Sequence, residues 1–316
     1  MPDIIVMFFI LGLVAGLLRS DLAIPKATYD TLSLLLMLTI GLKGGTALHG
    51  NVSWSLLPQM LTVVALGALI PLSLFPLLRK LVGLSVANSA SIAAHYGSVS
   101  AGTFAVALAY AETNQLAVGA EVTLYLVLLE LPAIIVGLLL FRKLSHDTST
   151  QVSMKALWHE ALTNKSVILL VGGVFIGLMY GEQQGAQVTG LLTSSFKVVL
   201  ALFLLEMGIT AAQTLRPMPF NYWRLAIFAL TIPFTLGSLG VFVGATLGLS
   251  LGSIVVLASI MASASYIAAP AAIKASIKEA DIGLAMLSSL GLTFPLNVVI
   301  GIGVYHQIAQ WYLTQY

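Results

Sequence analysis

The sequence contains no cysteine, which excludes disulfides, thiolate metal sites and cysteine nucleophiles. Charge is nearly as scarce. Only 8% of the 316 residues are Asp, Glu, Lys or Arg, against about 25% in a soluble domain. With 59% of the residues hydrophobic, too few polar side chains remain to cover a soluble fold, so the solvent is lipid. Catalytic constellations are missing as well. The five histidines are scattered without HExxH spacing, and no nucleophile–base pair or metal cluster is legible. An enzyme is therefore not expected, and neither is a nucleic-acid partner. Rings of repeated charge, the mark of many channels, are also lacking.

What the sequence does have is long apolar runs. A spanning helix needs about 20 mostly apolar residues. Ten stretches are candidates: 3–18, 29–49, 55–78, 86–110, 115–141, 166–180, 191–213, 223–247, 251–275 and 281–311. They predict an all-α integral membrane protein with ten transmembrane helices. The first run lacks a positive n-region, precedes Arg19 and shows no small-residue cleavage site, so it is read as a retained helix. The one long polar stretch, 146–165, has room for a short amphipathic helix and divides the chain nearly in half.

The basic residues sort by loop. Arg19, Lys26, Arg79, Lys80, Arg142, Lys143, Lys155, Lys165, Arg216, Arg224, Lys274 and Lys278 all fall in alternate loops, 12 of the 14 Lys and Arg. The other side has only Lys197, and Lys43 falls inside the second helix. Positive loops stay cytoplasmic, which predicts a bacterial inner-membrane protein with both termini outside.

The halves echo each other. Ile70-Pro71-Leu72-Ser73-Leu74 has a counterpart in Ile232-Pro233-Phe234-Thr235-Leu236, Ala90-Ser91-Ile92 in Ala258-Ser259-Ile260, and Leu131-Pro132 in Phe294-Pro295. Five helices per half force the second half to insert upside down, an arrangement typical of secondary transporters. The expected division is 1–143 for the first repeat, 144–165 for a cytoplasmic linker and 166–316 for the inverted second repeat.

Corresponding interruptions fall in helices 4 and 9. One is Gly97, Ser98, Val99, Ser100, Ala101, Gly102 and Thr103; the other runs from Ser263 and Ser265 through Tyr266, Ile267, Ala268, Ala269 and Pro270. Glycine, serine and proline weaken a helix, and backbone freed in hydrocarbon must line a cavity or find a partner. Broken, crossing helices of this kind mark a midplane site. Half-helix N–H groups suit a small anion. Carbonyls and the hydroxyls of Ser98, Ser100, Ser263 and Ser265, with the carboxylate of Glu130, suit a hard cation such as Na⁺. The alternative is that the small residues only allow close packing, the preferred reading for Gly41 and Gly45. Glu130 is either a transport residue or a structural carboxyl. His95 is either a proton sensor or a packed neutral ring, and Lys43 is expected to reach outward for solvent.

At these breaks the chain resembles the sodium-dependent bicarbonate transporters best known from cyanobacteria. The resemblance is carried by Gly-Ser-Val-Ser-Ala-Gly-Thr at 97–103 with 109–112 after it, by 124–132, by Gly41-Leu42-Lys43-Gly44-Gly45 and by 263–270. It implies a core-and-gate fold, homotrimers, Na⁺-coupled uptake of bicarbonate and a cytoplasmic signalling partner of the nitrogen-regulatory type. No cofactor beyond Na⁺ as the coupling ion is implied. Tyr266 departs from the pattern, standing where the family has an aspartate, and Ala268 stands for a serine. A hard ligand and a charge are thereby removed. A proton-coupled or facilitative carrier of another small anion, or a non-transporting receptor, remains the alternative.

Overall fold

The computed structural model describes residues 3–54, 56–145, 159, 163–216 and 220–315, and no strand occurs among them. The helices are α1 (Ile4–Leu18), α2 (Lys26–Leu48), α3 (Leu56–Val82), α4 (Val86–Gly97), α5 (Ala101–Thr113), α6 (Val122–Leu144), α7 (Lys165–Ser194), α8 (Phe196–Thr214), α9 (Trp223–Thr246), α10 (Leu251–Met261), α11 (Ala268–Ser276) and α12 (Ile282–Gln315). Their starts follow local chemistry. Asp3 accepts from the Ile5 N–H (2.8 Å) to cap α1, and Ser85 accepts from Asn88 (3.1 Å) to cap α4. Asn164 accepts from Ser166 (2.9 Å) at the start of α7. Gly83, at φ 84°, ends α3 in the left-handed turn that glycine adopts without penalty.

Among the described residues, seven helical stretches are long and apolar enough to cross a membrane. Three features separate that number from the ten runs in the sequence. α1 has 15 residues and α10 has 11, both short for a span on their own. α7 and α8 are separated by Ser195 alone and form one stretch of 50 residues. The region 181–190, expected as a loop, is helical: α7 bends at Gly181 (φ 59°, ψ −168°) and continues to Ser194. A side chain at Gly181 would run into the His49 ring, whose Nδ1 lies 2.7 Å from the Leu178 carbonyl oxygen. Most of the 146–165 stretch, with its expected amphipathic helix, lies outside the described residues.

Glycine sets the closest helix contacts. A Cβ at Gly41 or Gly45 of α2 would collide with the Leu170 or Val174 carbonyl of α7, and Gly173 and Gly177 of α7 meet α2 backbone in return. The matched positions rise together along both helices, so α2 and α7 run parallel. α1 and α8 make the same kind of seam through Gly12, Gly16 and Gly208. Gly41 and Gly45 are thus packing residues.

The polar middle of the chain lies at the centre of the bundle. In the stretch Val86–Thr113, 94% of the most apolar window is buried, against 28% in Lys165–Thr214. α4 packs between α3 and α6, α10 contacts α5, and α11 contacts α4. Burying the polar pair of broken helices and exposing the apolar stretch Lys165–Thr214 reverses the layout of a water-soluble protein, as a lipid solvent requires.

Candidate functional site

α4 stops at Gly97 because Ser98 turns extended (φ −78°, ψ 179°), and α5 restarts with Ser100 as its cap. Ser100 Oγ accepts from the Thr103 N–H at 3.0 Å. The N–H groups of Ala101 and Gly102 have no protein partner among the described residues. In the second half α10 stops at Met261 and α11 begins at Ala268. There Ser265 Oγ accepts from Ala269 (3.1 Å), and Pro270 has no N–H to satisfy. Both restarts therefore lean on a serine oxygen.

The two breaks are stitched to one another. The Ser100 N–H donates to Ser263 Oγ (2.8 Å), and the Ser263 hydroxyl donates to the Ile260 carbonyl (2.7 Å). The Ser265 N–H donates to the His95 carbonyl (2.8 Å). Asn297 of α12 donates to the Ala262 carbonyl (2.8 Å) and accepts from the Tyr305 hydroxyl (2.8 Å). The Ser100 and Ser265 N–H groups and the Ala262 carbonyl, left over by the breaks, are thus met by partners from other elements.

A small cavity of about 10 Å³, roughly one water in size, lies at this crossing. Val99, Ser100 and Ala101 line it from the first break, Ser265, Tyr266, Ile267 and Ala268 from the second, and Glu130 from α6. Met37, Leu126, Ser166 and Leu170 complete the wall. Glu130 is buried two residues before Pro132, whose ring nitrogen cannot donate to the Leu128 carbonyl. The remaining residues expected at the site lie just outside the lining. Gly97 abuts Pro71 and Ala133. Gly102 holds the Tyr266 hydroxyl where a Cβ would be, with Phe203 and Phe294 beside it. Ser263 and Ala269 serve the stitching described above. The buried hydroxyls of Ser98, Thr103 and Tyr266 make no hydrogen bond of full geometry, although that of Tyr266 comes near Ser100. Each represents a cost of about 1–3 kcal/mol unless a ligand or water engages it.

Among the described residues, no three His, Asp or Glu side chains come close enough together to hold a metal. Oxygen donors at the crossing are hydroxyls, carbonyls and the single carboxyl of Glu130, a hard set suited to an alkali cation carried as cargo. His95 is fully buried, with Nδ1 2.7 Å from the Ser91 carbonyl oxygen, and it reaches the crossing through its own carbonyl.

Three positions escaped the sequence reading. Asn297 was hidden in the 281–311 run, where an amide in an apolar span was the available signal. Tyr96 lies 2.6 Å from Thr293 Oγ1, tying α4 to α12 through an aromatic that looked like core. Glu112 is the partner of Lys43, at 2.5 Å. Lys43 is half-buried, and its ammonium does extend toward the end of the bundle, where a partly exposed carboxylate on another helix meets it. Glu206 of α8, another acid in an apolar run, accepts from the Thr210 hydroxyl of its own helix at 3.2 Å.

An apolar helical bundle whose paired half-helices meet at a small cavity carrying a few polar groups has the build of a membrane transporter. The chain belongs to the Na⁺-dependent bicarbonate transporter superfamily, whose profile matches residues 4–310. Membership makes it a multi-pass membrane transporter and not an enzyme. None of the curated proteins matches the chain.

Proposed function

We propose that the protein takes up bicarbonate or a similar small anion together with Na⁺, by alternating access at the crossing of the two broken helices. The observation that carries this reading is the stitched pair of half-helices around one cavity, in a chain of this family. Ala101 and Gly102 N–H groups and the Tyr266 hydroxyl are the donors for the anion. Ser98, Ser100, Ser263 and Ser265 oxygens and Glu130 are the donors for the cation. Without a second carboxylate, the cation relies on neutral oxygens and on the anion beside it, so each ligand raises the affinity of the other by the same factor.

The architecture that goes with this function is ten spans in two inverted halves, 1–143 and 166–316, joined by the linker 144–165. Three observations support it. α1 runs with α8 and α2 with α7, as the first and second helices of two inverted units would exchange partners. α3 packs on α6 as α9 packs on α12. Each half carries its break in the fourth position. The basic loops put both termini outside a bacterial inner membrane. A homotrimer and a cytoplasmic signalling partner rest on the sequence resemblance alone.

The test is uptake of radiolabelled bicarbonate into proteoliposomes with and without an inward Na⁺ gradient. Na⁺-driven accumulation is expected. A second reading, proton coupling, is favoured by one observation: Glu130 is a buried carboxyl on the cavity wall with no ion-pair partner among the described residues. Accumulation driven by an acid gradient and indifferent to Na⁺ would replace the first reading with the second.

A further inference from the structure

Two of the strings that set this sequence apart, Gly41-Leu42-Lys43-Gly44-Gly45 and the segment ending at Glu112, contribute nothing to the cavity wall. The fold brings them together at the end of the bundle away from the basic loops. Glu112 Oε1, on the last turn of α5, lies 2.5 Å from Lys43 Nζ on α2, and Glu112 Oε2 lies 4.0 Å from Lys197 Nζ at the start of α8. Lys43 also lies over the Phe196 ring, 4.6 Å from its centroid, and Lys197 donates to Thr113 Oγ1 (3.2 Å). These are the ion pairs among the described residues. Both tie α5, which carries the first break, to α2 and α8, which carry none.

The position matters as much as the pairing. Ala101 lines the cavity, and Glu112 follows it on the same rigid helix, about 16 Å away. Met37 lines the cavity, and Lys43 follows it on α2. The ion pairs thus lie between the crossing and the basic-poor face. Gly44 packs without a gap on Thr123 there, and the Tyr125 hydroxyl donates to Gln59 (3.0 Å). On the opposite side the wall is made by Ser166 and Leu170, in the first turns of α7 beside Lys165 at the basic face.

We propose that Lys43, Glu112 and Lys197 form a charge lock that closes the basic-poor face over the crossing and must part before an ion can reach the cavity from that side. The proposal rests on the alternating-access reading above. Side chains of Lys43 and Glu112 are 26% and 32% exposed, so the pair is partly shielded from water and salt. Because one carboxylate serves two lysines, Glu112 is the keystone: its loss frees both partners, whereas loss of Lys43 leaves Lys197 able to close in.

The cysteine-free chain accepts a single reporter, Leu126→Cys, on the cavity wall. Its labelling by a membrane-impermeant thiosulfonate is followed from each face in right-side-out and inverted vesicles. Glu112→Gln should raise the rate from the basic-poor face about two- to fivefold, the shift expected for a partly exposed ion pair. Lys43→Gln should raise it less, and the Lys43→Glu/Glu112→Lys exchange should bring it part of the way back. Glu112→Asp, one methylene short of Lys43, carries the same expectation at smaller size if Glu112→Gln does not fold. Equal rates in the parent and in these variants overturn the lock. The two failures read differently. The lock alone fails when the variants match the parent while Na⁺ and bicarbonate still shift labelling between faces. The transport reading fails, and the lock with it, when neither ligand shifts labelling in any background.

Discussion

Between α4 and α5 the chain leaves the helix for three residues, 98–100; between α10 and α11 it leaves for six, 262–267. The short break caps its outgoing helix with its own Ser100 and borrows Ser263 of the other break for one N–H. The long break borrows more widely. Its outgoing helix is capped at Ala269 by Ser265, and the carbonyl of Ala262 is held by Asn297 from a distant helix. The two broken segments thus differ in how far their stability depends on other elements. The lesson concerns broken helices in membranes: an interruption dictates that backbone groups must be met, not which residues meet them.

The sharpest way to break this comparison is at Gly102, where the second break reaches into the first. Gly102→Val should reduce transport to background and destabilise the fold by about 1–3 kcal/mol, because the added methyl groups displace the Tyr266 ring into Phe203 and Phe294. In a thermal-shift cycle, Gly102→Ala and Tyr266→Phe should compensate one another. Strict additivity would mean that the hydroxyl does not occupy that space. Next in size is Asn297→Ala, which leaves the Ala262 carbonyl and the Tyr305 hydroxyl without their partner. A loss of about 1–3 kcal/mol is expected in denaturation from detergent micelles, and wild-type stability would contradict the tertiary role given to α12.

The serine caps sharpen the contrast. Ser100→Ala should cost about 1 kcal/mol, as N-caps do, and should also weaken Na⁺ affinity, because the Ser100 oxygen is one of the donors proposed for the cation and lines the cavity. Ser265→Ala should cost less, since Ile267 and not Ser265 precedes α11 directly. Equal losses would erase the distinction between a local and a borrowed closure. Glu130→Gln should have the smallest effect on stability, within about 0.5 kcal/mol, yet lower Na⁺-driven flux. Unchanged flux with an unchanged pH profile would leave Glu130 as a packing residue.

Much of this was visible in the residues. The breaks could be read because glycine, serine and proline are poor helix formers wherever they occur, so a run such as 97–102 announces itself without tertiary information. Gly41 and Gly45 could be read for a different reason: two glycines four apart in an apolar run mark a face that another helix can approach closely. What could not be read was pairing between distant positions. Nothing in α12 distinguishes Asn297 from any amide until the carbonyl it serves is located, and nothing in α5 reveals that Glu112 faces Lys43. The 181–190 segment failed for another reason. Its glutamines and glycines have the composition of a loop, yet a single turn at Gly181 lets the helix resume. Membrane spans, judged by hydropathy, cannot register a helix that continues past the lipid boundary.

The glycine seam between α2 and α7 also limits how this protein can change shape. Where two helices touch through backbone, no rotamers lie between them to be reshuffled, and sliding one along the other drives Gly41 and Gly45 into carbonyl oxygens. Ordinary helix interfaces creep by repacking side chains; this one can only hold or come apart. Any rearrangement that displaces α2 therefore has to carry α7 with it, and residues mounted on the pair, Met37 at the cavity and Lys43 near the rim, keep their spacing.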